Sequence, residues 1–207
     1  MCPFSKRRKK KEEQKRMRIV SFDVGYKNLA FVVLERNGRT FEVVDWRCVD
    51  TQRAGFDPVA GVLAALNELD LVECDTVLIE MQPRFAPKNM RIAHSIAAFF
   101  ILRKRVDLDE PVTIEYVPAS LKNRLVPRVD PPTKPGANRK YARYKSNKLS
   151  AIEACAGLVA KSGSPPLISM WDGCKKKDDL ADCLLQAIAW SSVSLAQVDL
   201  RHSVEAA

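Results

Sequence analysis

Histidine is almost missing from this chain: there are two in 207 residues. Six cysteines are present, and none forms a CxxC pair. Together these shortages exclude the usual zinc frameworks and give no pattern for disulfides. They fit a reducing, intracellular compartment. Long apolar runs are also absent. The nearest, residues 92–102, is interrupted by His94 and Ser95, well short of the ~18 apolar residues of a membrane span. The basic N-terminus leads into residues 19–23 and not into the apolar core of a signal peptide. No membrane partner is expected.

What is present is a real core and uneven charge. Hydrophobic residues make up 46%, enough for one ordinary domain at this length. Residues 1–18 carry nine Lys or Arg against two Glu, a net of +7. Residues 121–148 carry nine against one Asp, a net of +8, which leaves −6 for the remainder of the +9 total. A mildly acidic body with a basic tail and one basic segment suits an anionic polymer as partner. Residues 1–17 lack hydrophobic periodicity and read as a disordered tail. The run Lys6 to Lys11 would serve as a nuclear signal, as a DNA-binding arm, or as a merely solvated segment.

Three strands are expected at 18–24, 28–35 and 41–49, with Asn37-Gly38 as a hairpin turn. Short links make them an antiparallel meander. Residues 57–71 have apolar positions at helical spacing, with Asp57 as cap and Pro58 behind it. Residues 75–80 form a continuous apolar run ending in Glu80, the pattern of a central strand buried on both faces. A strand–helix–strand order returns this segment parallel to the first strand. Residues 88–104 form a long helix that is apolar on more than one side, so its second side needs cover, from a second subunit in a two-fold dimer or from the chain's own loops. A strand at 111–117 follows. Residues 118–143 are rich in proline, lysine and arginine and read as a long irregular insert, with 126–136 unable to form regular structure. Helices are expected at 146–161 and 178–195, with an irregular stretch at 167–177. Residues 196–207 read as a tail.

Four carboxylates stand out. Asp23 ends the first strand, where an ionised carboxylate costs several kcal/mol unless paired. Glu80 ends the parallel strand beside it. Asp179 and Asp182 lie one turn apart on the last helix and share a face, with Asp178 placed to cap that helix. Each has a bland reading: Asp23 capping a turn, Glu80 pairing with Arg84, Asp179 and Asp182 as a polar helix face. Jointly, the element order places all four at one end of a sheet. Such a cluster suits two-metal phosphodiester hydrolysis, with a hard divalent cation such as Mg²⁺ bound by the carboxylate oxygens. Tyr141 and Tyr144, interleaved with Lys140, Arg143 and Lys145, suit nucleic-acid contacts.

The segments Ser-Phe-Asp23-Val-Gly25-Tyr-Lys-Asn28, Ile79-Glu80-Met-Gln82 and Lys-Lys-Asp-Asp179-Leu-Ala-Asp182 together resemble the poxvirus-type Holliday junction resolvases. These belong to the RuvC branch of the RNase H-like superfamily. The resemblance spans roughly residues 18–190. It implies an α/β fold with a mixed five-stranded sheet flanked by helices, a homodimer through helix 88–104, and two Mg²⁺ or Mn²⁺ ions per site. It implies paired nicks in four-way DNA junctions at a viral replication site in host cytoplasm or nucleus. By motif match Asp23, Glu80, Asp179 and Asp182 are the metal ligands. A catalytic lysine upstream of the last acid pair is also implied, and Lys148 is chosen for it, with Lys145 next. Candidate DNA contacts are Asn28, Arg84, Lys88, Asn89, Lys122, Arg139, Lys140, Arg143 and Lys145. Alternatives from other classes are a nuclease of the same fold acting on RNA–DNA hybrids or flaps, and a DNA-binding module without catalysis.

Overall fold

The structure is a computed structural model, and it describes residues 16–52, 57–69, 73–126 and 138–203. The basic run at 6–11 and most of the proline-rich stretch at 126–136 lie outside the described residues.

Strands β1 (Met17–Val24), β2 (Asn28–Asn37) and β3 (Thr40–Asp50) form the expected antiparallel meander. Gly38 makes the β2–β3 turn with φ 62°, a conformation glycine adopts at little cost. Helix α1 (Pro58–Glu68) starts as read: the Asp57 side chain accepts from Val59 N at 2.8 Å. Strand β4 (Thr76–Glu80) then returns parallel to β1, with Phe22 opposite Ile79. Helix α2 (Pro87–Phe100) runs on through a π-helical stretch, Ile101–Asp107. Strand β5 (Thr113–Val117) pairs parallel to β4 and is followed by a 3-10 turn, Leu121–Arg124.

Beyond this point the structure corrects several expectations. Helix α3 (Arg139–Ser162) begins seven residues before the expected 146, inside the segment read as an irregular insert. Asn138 explains the early start, because its side chain accepts from the backbone N–H of Lys140 and Tyr141. A short helix α4 (Pro165–Gly173) occupies part of the stretch read as irregular. Its two prolines sit in the first turn, where a missing N–H costs nothing. Helix α5 (Lys177–Trp190) stops before the expected 195. The sheet has six strands and not five: β6 (Asp199–His202), inside the expected tail, pairs parallel to β3. The order is β5-β4-β1-β2-β3-β6.

A separate core lies on each face of the sheet. Val20, Phe22, Phe31, Val77 and Ile79 pack with α1 and α2. Ile19, Val32, Trp46 and Leu78 pack with α3, α4 and α5. Side chains alternate along a strand. Ile19, Ser21 and Asp23 therefore share the α5 side of β1, and Leu78 and Glu80 share the α5 side of β4. The five described cysteines are free. Among the described residues no helix is long and apolar enough to cross a membrane.

Candidate active site

Asp23 and Glu80 stand at the carboxyl ends of adjacent parallel strands, pointing to the same face. Asp179 and Asp182 come from the first two turns of α5, which crosses that face. All four line one cavity of about 660 Å³. Gly25 permits the tight turn beside Asp23, since a Cβ there would collide with the carbonyl oxygen of Asn28.

The carboxylates feel one another. Burial pushes the Asp23 carboxyl well above its ordinary value, and Glu80, then Asp182 and Asp179, push it further. Burial also raises Asp182, against an opposing ion pair with Lys122. Asp179 is raised by burial and by Asp178, with Lys176 and Lys148 pulling the other way. Among the described residues no three Asp, Glu, His or Cys groups stand at metal-ligand spacing; the four carboxylates share the lining of one cavity. Their chemistry nonetheless fits one class of guest. The cavity lining holds no histidine or thiolate, so hard oxygen donors alone are offered, as Mg²⁺ or Mn²⁺ prefers.

Two lysines reach the cavity by different routes. Lys122, on the 3-10 turn, pairs with Asp182. The sequence offers it only as a candidate DNA contact, because its partner lies 60 residues away and no local pattern announces the pair. Lys148, on α3, donates to Asp178 Oδ2 at 2.5 Å and lies 5.2 Å from the Tyr144 ring centroid. Burial opposes its charge, yet the bonds to Asp178 and Tyr144 prevail and hold it protonated above its ordinary value. Asp178 is therefore the partner of Lys148 and not the helix cap: α5 is capped at Lys176 without a side-chain bond. Burial pushes the Asp178 carboxyl up, but Lys148 outweighs it and the net shift is down.

Of the expected DNA contacts, Asn28 and Lys122 line the cavity. Lys88 sits just outside, its Nζ 4.9 Å from the ring centroid of Tyr26, which is in the lining. Arg84, Arg139, Lys140, Arg143 and Lys145 are exposed and lie outside the lining. Asn89 is half-buried and turned inward: its Nδ2 donates to Val24 O at 3.3 Å and to Gln82 Oε1 at 3.2 Å. Glu80 does not pair with Arg84; its Oε2 accepts from Gln82 Nε2 at 3.3 Å.

Several residues around the site escaped the sequence reading. Gln186, one turn beyond Asp182, is buried against β1. Trp46 Nε1 donates to Leu180 O at 3.1 Å and stacks on Trp171, fixing the first turn of α5. Asn147 lines the cavity beside Lys148 and next to Tyr144, which the sequence already marks as a nucleic-acid contact. A polar residue within an apolar helix stripe, as Gln186 is, was the one available signal.

The mixed sheet, with two carboxylates at parallel strand ends and two on the crossing helix, defines the RuvC-type fold of the RNase H-like class. Solved structures agree. The fowlpox virus resolvase, solved with Holliday junction DNA, is 18% identical with a TM-score of 0.57, over 85% of this chain and 97% of that one. The yeast mitochondrial Holliday junction resolvase is 16% identical with a TM-score of 0.53, over 87% and 80%. Thermus thermophilus RuvC, solved with its junction substrate, is 12% identical with a TM-score of 0.50, over 85% and 96%. The chain belongs to the Poxvirus A22 protein family, whose match covers residues 17–126. No curated protein matches it significantly.

Proposed function

We propose that this chain is a structure-selective DNA endonuclease that resolves four-way junctions by paired, metal-dependent nicks during viral DNA replication or recombination. The observation that carries the reading is the convergence of Asp23, Glu80, Asp179 and Asp182 from three elements onto one cavity rimmed by Lys122 and Lys148. A buried Asp23 whose carboxyl is pushed up by burial and by the three neighbouring acids is costly to hold there. Surface decoration gives no reason to keep it so; a metal-dependent hydrolase does.

In this reading Asp23, Glu80, Asp179 and Asp182 hold two Mg²⁺ or Mn²⁺ ions. Such ions, when bound, activate the attacking water and stabilise the leaving 3′-oxygen. The protein's own groups do the rest. Lys148 is a fixed cation on the cavity wall and offers charge to the scissile phosphate. Lys122 offsets the charge of Asp182 until substrate arrives. Asn28 and Tyr144 line the approach, and the exposed Arg139, Lys140, Arg143 and Lys145 lead along α3 toward it. The exposed apolar side chains Ile101, Leu102 and Val106 follow α2 and suit a two-fold dimer, which presents two equivalent sites to a two-fold junction.

The test is Mg²⁺-dependent cleavage of a labelled four-way junction beside a linear duplex of the same sequence, with Asp23→Asn as control. Paired nicks in the junction alone, lost in the variant, are expected. Equal cutting of both substrates would indicate a general nuclease of this fold, and binding without cleavage a DNA-binding module.

A further inference from the structure

We infer that Asn89 and Gln82 are positioning residues for Glu80, forming a hydrogen-bonded strut that sets the carboxylate from the first turn of α2. The inference rests on the proposed metal site, because it concerns how one of its ligands is held.

Glu80 is the last residue of β4, and a strand-end side chain is free to swing unless something restrains it. Gln82 does so: its Nε2 donates to Glu80 O at 3.0 Å and to Glu80 Oε2 at 3.3 Å. Gln82 is itself in a loop, so its amide needs a fixed partner. Asn89 supplies one. Its Nδ2 donates to Gln82 Oε1 at 3.2 Å and to Val24 O at 3.3 Å, the residue after Asp23. Each amide thus uses both of its protons, and each bond fixes the orientation of the next group. The loop is tied to β5 by Met81 N to Val117 O at 2.8 Å and carries a tight turn closed by Ala86 N to Pro83 O at 2.8 Å.

The strut therefore joins three pieces of the site. It ties the end of β1, which carries Asp23, to the end of β4, which carries Glu80, through a rigid helix. Asn89 is turned into the fold, with its Nδ2 shared between Val24 O and Gln82 Oε1. Partners of this kind orient metal-binding carboxylates and tune them without touching the ion.

The experiment uses the full chain and reads Mn²⁺ binding directly, by electron paramagnetic resonance of free Mn²⁺ without DNA. Asn89→Ala and Gln82→Met are each expected to raise the Mn²⁺ dissociation constant, by about 10- to 100-fold as for other such partners. Turnover on saturating junction falls with it, while the junction concentration for half-maximal rate stays unchanged. Gln82→Met keeps the bond from Asn89 to Val24, so it decides the matter if Asn89→Ala folds poorly. Wild-type Mn²⁺ affinity in Gln82→Met, with binding abolished in Asp23→Asn, overturns the strut and leaves the metal site standing. Wild-type affinity in Asp23→Asn as well removes the site, and the strut's role falls with it.

Discussion

Gln186 Nε2 donates to Ser21 Oγ at 3.0 Å inside the core, joining α5 to β1 between the two acid-bearing ends. The same nitrogen reaches Phe22 O at 3.3 Å. Gln186 follows Asp182 by four residues, so the two share a face of α5. Replacing it by leucine keeps the bulk and strands the buried Ser21 hydroxyl. Gln186→Leu is expected to lower stability by about 1–3 kcal/mol, the cost of an unsatisfied buried polar group. Urea unfolding of the metal-free protein measures this. An unchanged midpoint would mean that packing alone seats α5 on β1.

Asp23 sets activity against stability. Its carboxyl is pushed well above the ordinary value, chiefly by burial and then by Glu80. Asp179 and Asp182 are raised as well. A carboxyl that binds its proton more tightly when folded contributes stability fully below its unfolded pKa and loses it as pH rises through the folded value. Metal-free protein should therefore lose stability from these groups as pH climbs above about 4, the unfolded carboxylate range. Asp23→Asn removes the largest of these contributions. It should melt higher than wild type at neutral pH without metal, with a shallower fall in Tm toward alkaline pH, and cleave nothing. Thermal melts across pH in a chelator check this. A wild-type Tm that rose with pH relative to the variant would contradict it.

Lys148 and Lys122 should separate by effect. Lys148 holds its charge through Asp178, which the proposed metal set does not use. It is free to offer that charge to a phosphate in the transition state. Lys148→Met is expected to reduce turnover by about 100-fold, the cost typical of losing one fixed stabilising donor. Binding should change little, its salt slope falling by about one at most. Lys122→Met should instead raise the Asp182 carboxyl further, because Lys122 is the main group opposing that shift. Its cleavage defect should lessen at higher pH. Parallel pH–rate profiles for the two variants would contradict this division.

The four acids were legible because each depends on a local rule. Asp23 and Glu80 end strands whose alternation puts them on one face, and Asp179 and Asp182 stand one helical turn apart. The β1–β4 pairing followed from chain order alone. What could not be read was set by tertiary contact. Lys122 meets Asp182 only because the 3-10 turn after β5 packs against α5. Asn89 stands among the candidate DNA contacts, and only its bond to Val24 O at the end of β1 shows it turned inward. Strand β6 buries one leucine, Leu200, in four residues, and pairing with β3 supplies what its sequence lacks. Helix α3 was shortened because its first turn is basic and polar, and the Asn138 cap outweighs that composition.

The apolar surface following α2 sets the last prediction. Leu102 is 55% exposed and Phe99 borders it, together with Leu63 of α1 in the same groove. Val106 is 66% exposed one turn on. Apolar side chains gathered in one exposed groove mark an interaction surface. Burying a leucine contributes about 1.5–3 kcal/mol, and a two-fold interface repeats each contact. If the proposed dimer forms through this surface, Leu102→Glu places a carboxylate from each copy in the interface and should give monomer at micromolar concentration in sedimentation velocity. Leu102 is far along the chain from Asp23, and the variant should keep its fold and its Mn²⁺ affinity. Its cleavage should shift from paired nicks to single, uncoordinated ones, seen as nicked junctions that accumulate without resolving into linear duplexes. A monomeric variant that still produced paired nicks would sever dimerisation from resolution.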